Sequence, residues 1–88
     1  MNLVECFFPK SPEFDSVLDY LRKTHPGCTI ADAGPFYQRF TSLHPVTIDR
    51  RDIRIRLANW HSVFAGGLRG RIVQFDLGTI RIEPEATP

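Results

Sequence analysis

Residues 11–27 constrain the fold of this chain more tightly than any other stretch. Ser11 is placed to cap a helix, Pro12 suits its first position, and Glu13 and Asp15 sit at the positive end of the helix dipole. Phe14, Val17, Leu18 and Leu21 recur at i, i+3, i+4 and i+7, so a helix over 11–24 carries a single apolar stripe. Arg22, Lys23 and His25 follow at the negative end, and Pro26-Gly27 stops the helix. A helix that is apolar along one side has to be covered by a second layer.

Short strand-like segments separated by turns supply that layer. Residues 2–8 read as a first strand, with Val4, Cys6 and Phe8 on one face and Leu3 and Phe7 on the other. Apolar residues on both faces imply a central strand, or one whose second face meets a partner. Residues 28–35 read as a short extended piece and a turn at Ala33-Gly34-Pro35. Residues 36–41 read as a strand with Phe36, Gln38 and Phe40 on one face, in preference to a short helix aligning Phe36, Phe40 and Leu43. Residues 46–57 read as a hairpin turning at Asp49-Arg50-Arg51-Asp52, with Ile48 opposite Ile53 and Val46 opposite Ile55. In that hairpin Ile53, Ile55 and Leu57 face the core, and Asp52, Arg54 and Arg56 face outward. Asn59 is placed to cap a second, short helix over 59–65, with Trp60, Val63 and Phe64 aligned; a strand is the competing reading.

Residues 66–70, Gly-Gly-Leu-Arg-Gly, read as a flexible connector into a last hairpin over 71–83. The turn of that hairpin is Asp76-Leu77-Gly78-Thr79, with Gly78 available for a positive φ. An even loop pairs Phe75 with Ile80 and Val73 with Ile82 and puts Gln74 and Arg81 on the opposite face; a glycine bulge would shift the register by one. Phe14, Phe64 and Phe75 are expected inside, while Leu3, Phe7 and one of Phe36 or Tyr37 would form an apolar patch if they share an exposed face. The class is therefore α+β: a mostly antiparallel sheet of four to six strands packed against the 11–24 helix. Residues 1–83 form one compact domain, and 84–88 a frayed acidic tail.

At 42% apolar and 24% charged residues, the composition is that of a globular chain and excludes disordered and collagen-like classes. No apolar run approaches the roughly 18 residues of a membrane helix. Glu5 and Pro9 interrupt the first apolar stretch and no positive segment precedes it, so no signal peptide is read there. Cys6 and Cys28 are too few for a secreted disulfide framework and read as free thiols, which places the chain in the cytoplasm.

Eleven basic and ten acidic side chains give a net charge of +1, which disfavours a bulk polycation. Their distribution is uneven. Residues 1–49 hold four basic and six acidic side chains, 50–81 hold seven arginines and two aspartates, and 82–88 hold two glutamates. Nine of the eleven basic residues are arginine, whose planar fork suits bidentate contacts and aromatic stacking. If the two hairpins adjoin in one sheet, Arg50, Arg51, Arg54, Arg56, Arg69, Arg71 and Arg81 form a cationic stripe, flanked by Tyr37 and Trp60 as stacking platforms.

Such a stripe fits a larger protein or nucleoprotein partner with an acidic groove, or the phosphates of a single strand. The plainer alternative is a charged outer face that only solvates the sheet.

No motif carries chemistry. His25 and Cys28 have metal half-site spacing without a second half-site, so neither a metal nor another cofactor is expected. Residues 66–70 lack the ending of a phosphate loop. A ribonuclease-like site would combine His61 or His44 with Arg54 or Arg56, but nothing in the spacing fixes their geometry. The expectation is a small non-enzymatic binding protein of inhibitor or adaptor type. Small phage or mobile-element proteins that inhibit a host defence nuclease complex fit this description. Single-stranded nucleic-acid binding is the alternative and a small RNase-like enzyme the third; homodimerisation is compatible with each.

Overall fold

In a computed structural model that describes residues 2–85, the elements run β1 Val4–Pro9, α1 Pro12–Thr24, β2 Thr29–Asp32, β3 Tyr37–Ser42 and β4 Val46–Asp49. A 3₁₀ turn Arg50–Asp52 follows, then α2 Leu57–His61, β5 Leu68–Arg69, β6 Arg71–Phe75 and β7 Thr79–Glu83. Seven strands form two antiparallel sheets, ordered β2-β3-β1-β5 and β4-β7-β6. The class is α+β. Pro84 and Glu85 belong to no helix or strand, and residues 86–88 of the expected tail lie outside the described residues.

Helix α1 forms where its local signals place it. Ser11 is extended (φ −154°, ψ 157°), and its Oγ accepts from the Phe14 N–H at 3.3 Å. The four stripe residues are all buried. They meet Val4, Cys6, Phe8 and Phe40 from the first sheet, and Val46, Ile48, Ile80 and Ile82 from the second, in one apolar cluster. Fully buried side chains such as Phe8, Phe40 and Leu18 contribute about 1.5–3 kcal/mol each relative to exposure. Exposed ion pairs contribute far less, so burial rather than charge holds the fold. The Cα radius of gyration is 12.0 Å, against about 12 Å for a globular chain of this length.

Strand β1 is central, paired with β3 on one side and β5 on the other; Val4, Cys6 and Phe8 of one face are buried, while Leu3 and Phe7 of the other are half-buried. Residues 66–70 are not a loose connector. The Phe7 N–H donates to the Gly67 carbonyl at 3.1 Å, and β5 pairs Glu5 with Arg69 and Cys6 with Leu68. Gly70 then turns the chain from the first sheet into the second at φ +138°. A Cβ there would stand 2.9 Å from Ile82 Cγ2 and 3.2 Å from the Glu83 carbonyl oxygen. A side chain would not fit at this corner.

The expected 46–57 hairpin does not form. Strand β4 pairs instead with β7, Val46 opposite Ile82 and Ile48 opposite Ile80. At the end of β4 the Asp49 carboxylate caps the 3₁₀ turn, accepting from the Arg51 N–H at 3.1 Å, and the Arg50 N–H donates to the Gly78 carbonyl at 2.9 Å. Residues 53–56 then run along α1. The Arg54 N–H donates to Ser16 Oγ at 3.3 Å and the Arg56 N–H to Glu13 Oε2 at 2.7 Å, so helix side chains take the place of a partner strand. Ile55 is buried and Ile53 half-buried, but Leu57, expected in the core, is 44% exposed.

The short helix is Leu57–His61 rather than 59–65. Asn59 lies within it instead of capping it, and its amide donates to Glu13 Oε2 at 2.7 Å.

The free side of β4 is covered by α1. The Tyr20 hydroxyl donates to the Thr47 carbonyl (3.3 Å) and accepts from the Asp49 N–H (3.1 Å), while the Thr47 N–H donates to His25 Nε2 (3.4 Å). One side chain of α1 and that of the residue capping its C-terminus thereby satisfy backbone groups that an uncovered strand edge would expose.

The last hairpin turns where expected, through a carboxylate rather than a glycine. Asp76 Oδ1 accepts from the N–H groups of Gly78 (2.9 Å) and Thr79 (2.8 Å), and Gly78 is not among the glycines with positive φ. Phe75 pairs with Ile80 as expected, but Ile82 pairs with Ile72, because Val73 is the extra residue of a bulge. The bulge brings Ile72 and Phe75 to the same face. Phe75 is not inside: it is 39% exposed, with its ring edge-on to Trp60 and Phe64 at 6.1 and 6.0 Å between centroids. Phe64 itself is half-buried.

Candidate interaction surface

The seven arginines do not form one stripe, because the hairpin that would have aligned them is absent. Arg69 lies on the first sheet opposite Glu5, while Arg71 and Arg81 lie on the second. Arg56 is fixed at the start of α1, its Nε on Glu13 Oε1 at 2.9 Å. Arg71 meets Glu83 at 3.4 Å, and Arg81 donates to Thr47 Oγ1 at 2.9 Å. Arg51 grips Asp49 with both Nε (3.4 Å) and Nη2 (3.2 Å).

These contacts register on the carboxylates. Hydrogen bonds from the Arg56 backbone, Asn59 and the Arg56 side chain hold Glu13 below the usual glutamate range. The Arg51 side chain and backbone do the same for Asp49. Gln74, then the Gly78 and Thr79 amides, lower Asp76.

Arg50, Arg54, Arg69 and Arg81 have no ion-pair carboxylate among the described residues, and the first two share one cleft. Arg50 Nη1 donates to the Leu77 carbonyl at 3.3 Å, and its buried Nε has no acceptor. The Arg54 side chain is exposed and has no partner among the described residues. Both line a cleft of about 240 Å³, together with Arg51, Ile53, Ile55, Leu77 and Gly78. The cleft exists because the 3₁₀ turn carries 50–55 past the tip of the last hairpin.

An apolar edge continues from that tip. Among the described residues strand β6 pairs only with β7, and all five of its residues are exposed. Ile72 is 42%, Val73 43% and Leu77 59% exposed. Sequence reasoning missed Ile53, Ile72, Val73, Leu77 and Gly78 as surface candidates. The one available signal was Leu77, an apolar residue in a turn.

The two aromatic platforms fare differently. Trp60 is fully buried, with its Nε1 donating to the Asp76 carbonyl at 2.7 Å, so it cannot stack on a ligand. Tyr37 is 37% exposed, on the first sheet, with its ring against Gly66. Gly66 and Gly67 also approach Phe7, which is half-buried, whereas Phe36 lies open just before β3.

Both ring nitrogens of His25 are engaged, Nδ1 with Thr24 Oγ1 at 2.8 Å and Nε2 with Thr47, and burial lowers its pKa. The Cys28 thiol is directed to the Leu21 carbonyl at 4.0 Å. The 25/28 pair is thus occupied by the fold. Cys6 is buried, and burial followed by the nearby Glu5 pushes its thiol up to about 12, which leaves it a poor nucleophile. No group of three or more His, Cys, Asp or Glu is placed to hold a metal ion among the described residues. Nor is any helix among them long and apolar enough to cross a membrane.

No known protein family, curated protein or solved structure matches this chain.

Proposed function

We propose that this chain is a small, non-enzymatic, cytoplasmic binding protein of inhibitor or adaptor type, and that it docks on a larger protein partner. The observation that carries this reading is the exposed β6 edge. Ile72, Val73 and Phe75 are exposed along it, and the chain continues to Leu77, which lies in the cleft with Arg50 and Arg54. Apolar residues contiguous on a surface and rimmed by arginine have the make-up of a protein interface. The β6 edge and the Arg50–Arg54 cleft therefore replace the seven-arginine stripe as the docking surface. Arg51, Arg56 and Arg71 are set aside, because each is already neutralised by a carboxylate.

The test is crosslinking capture from the native host, run in parallel with wild type, Val73→Lys and Leu77→Lys. Both positions are exposed, so the variants are expected to melt like wild type. A partner held by wild type and weakened about tenfold or more by either lysine supports the reading. Identical capture by all three proteins would overturn it.

A further inference from the structure

We infer that the cleft between the 3₁₀ turn and the tip of the last hairpin is a carboxylate pocket, which receives an acidic side chain flanked by apolar residues from a protein partner. The inference rests on the docking role proposed above and specifies its chemistry. Three arginines converge on the cleft, and only Arg51 has a carboxylate of its own, Asp49. The Arg50 guanidinium is held at one corner by the Leu77 carbonyl, while its buried Nε–H has no acceptor. The Arg50 guanidinium has no ion-pair partner among the described residues, and an anion entering the cleft it lines supplies the countercharge it lacks. The Arg54 backbone is anchored on Ser16 while its side chain stays free, so it can close on the same anion from the other side.

The rest of the lining decides between a carboxylate and a phosphate. Ile53, Ile55 and Leu77 are apolar, and Leu77 leads directly into the exposed β6 edge. A nucleic-acid strand needs a track of unpaired cations and exposed rings for its bases. Here Arg51, Arg56 and Arg71 already meet carboxylates, Arg69 lies on the other sheet, Arg81 is held on Thr47, and Trp60 is buried. One acidic side chain between two aliphatic ones matches a small cationic cleft with aliphatic walls.

Three probes test this by ¹H–¹⁵N NMR: acetyl-Leu-Glu-Leu-amide, the same peptide with Gln for Glu, and inorganic phosphate. The signals to follow are the backbone amides of Arg54, Leu77 and Gly78 and the arginine Nε–H groups. The Glu peptide is expected to move them saturably, with the Gln peptide weaker by about tenfold, since a charge-assisted bond is lost. Arg54→Gln should abolish the response while the remaining spectrum stays that of the folded protein. Equal responses to the Glu and Gln peptides would overturn the role of charge. A response to phosphate alone would overturn the choice of carboxylate. If no probe moves these signals the pocket itself is refuted, whereas the β6 edge is judged separately by the capture experiment.

Discussion

Gly70 shows how much one residue can decide. It stands where a single run of chain leaves one sheet and enters the other, at φ +138° and with Ile82 Cγ2 within 2.9 Å of where a Cβ would be. Gly34 also has positive φ (+96°) but has nothing within 4 Å. Gly70→Ala should therefore cost backbone strain on the order of 1–3 kcal/mol, with displacement of Ile82 added, whereas Gly34→Ala should cost the strain alone. Urea unfolding of the two variants measures the difference, and equal losses would mean that the corner is not sterically tight. In sequence Gly70 was one of three glycines in what reads as a connector, and nothing local marks it as a contact with residues 82–83. Trp60 was equally ambiguous. Its burial follows from packing against Phe75 and from a hydrogen bond to Asp76, both set by tertiary structure.

Elements were legible where their signals are local. The cap, acidic first turn, apolar stripe and Pro-Gly stop of α1 lie within seventeen consecutive residues, and the helix forms there. Strand β4 was legible as a strand but not in its pairing. Alternation reveals which face is buried without naming the partner, and Ile80 and Ile82 satisfy it as well as Ile53 and Ile55 do.

Nor did the sequence reveal the cover over the other edge of β4, which gives a pH-dependent prediction. His25 Nε2 accepts the Thr47 N–H, so the ring has to be neutral there, and burial lowers its pKa from the ordinary 6.5. Below that value the unfolded chain takes up a proton that the folded chain resists. Stability is therefore lost as pH falls through 6.5 toward the folded pKa, and levels off below it. The lowered carboxylates Glu13, Asp49 and Asp76 lose their contribution only at more acidic pH, so the two windows separate. Melting curves between about pH 7 and about pH 5 should show a declining Tm in wild type and a flatter profile in His25→Gln. Parallel profiles would remove His25 as the cause.

At the scale of the molecule, the charge asymmetry so plain in the sequence is partly folded away, with three of the seven arginines paired to carboxylates. Glu13 from the acidic first half neutralises Arg56, and Glu83 from the last segment neutralises Arg71. Linear charge counts could not show this, because the first of those pairs spans forty-three positions. Of the seven arginines read as candidates, only Arg50 and Arg54 share a cleft without carboxylates of their own, and the apolar half of the surface came entirely from the structure. Fluorescence anisotropy with labelled single-stranded DNA and RNA should accordingly show little binding at either about 50 or about 200 mM salt. Micromolar binding that collapses between those salts would instead favour a nucleic-acid ligand.

The pairing of β4 with β7 also bears on how the chain is made. Residues 46–49 leave the ribosome well before 79–83, and no other strand among the described residues pairs with them. Until the last strand emerges, the nascent protein has an unfinished second sheet, with Tyr20 and His25 able to shelter only one flank of β4. Completion of the core therefore waits for residues 79–83, and a chain interrupted before them would leave Val46 and Ile48 without Ile82 and Ile80, their apolar faces open to water and to chaperones.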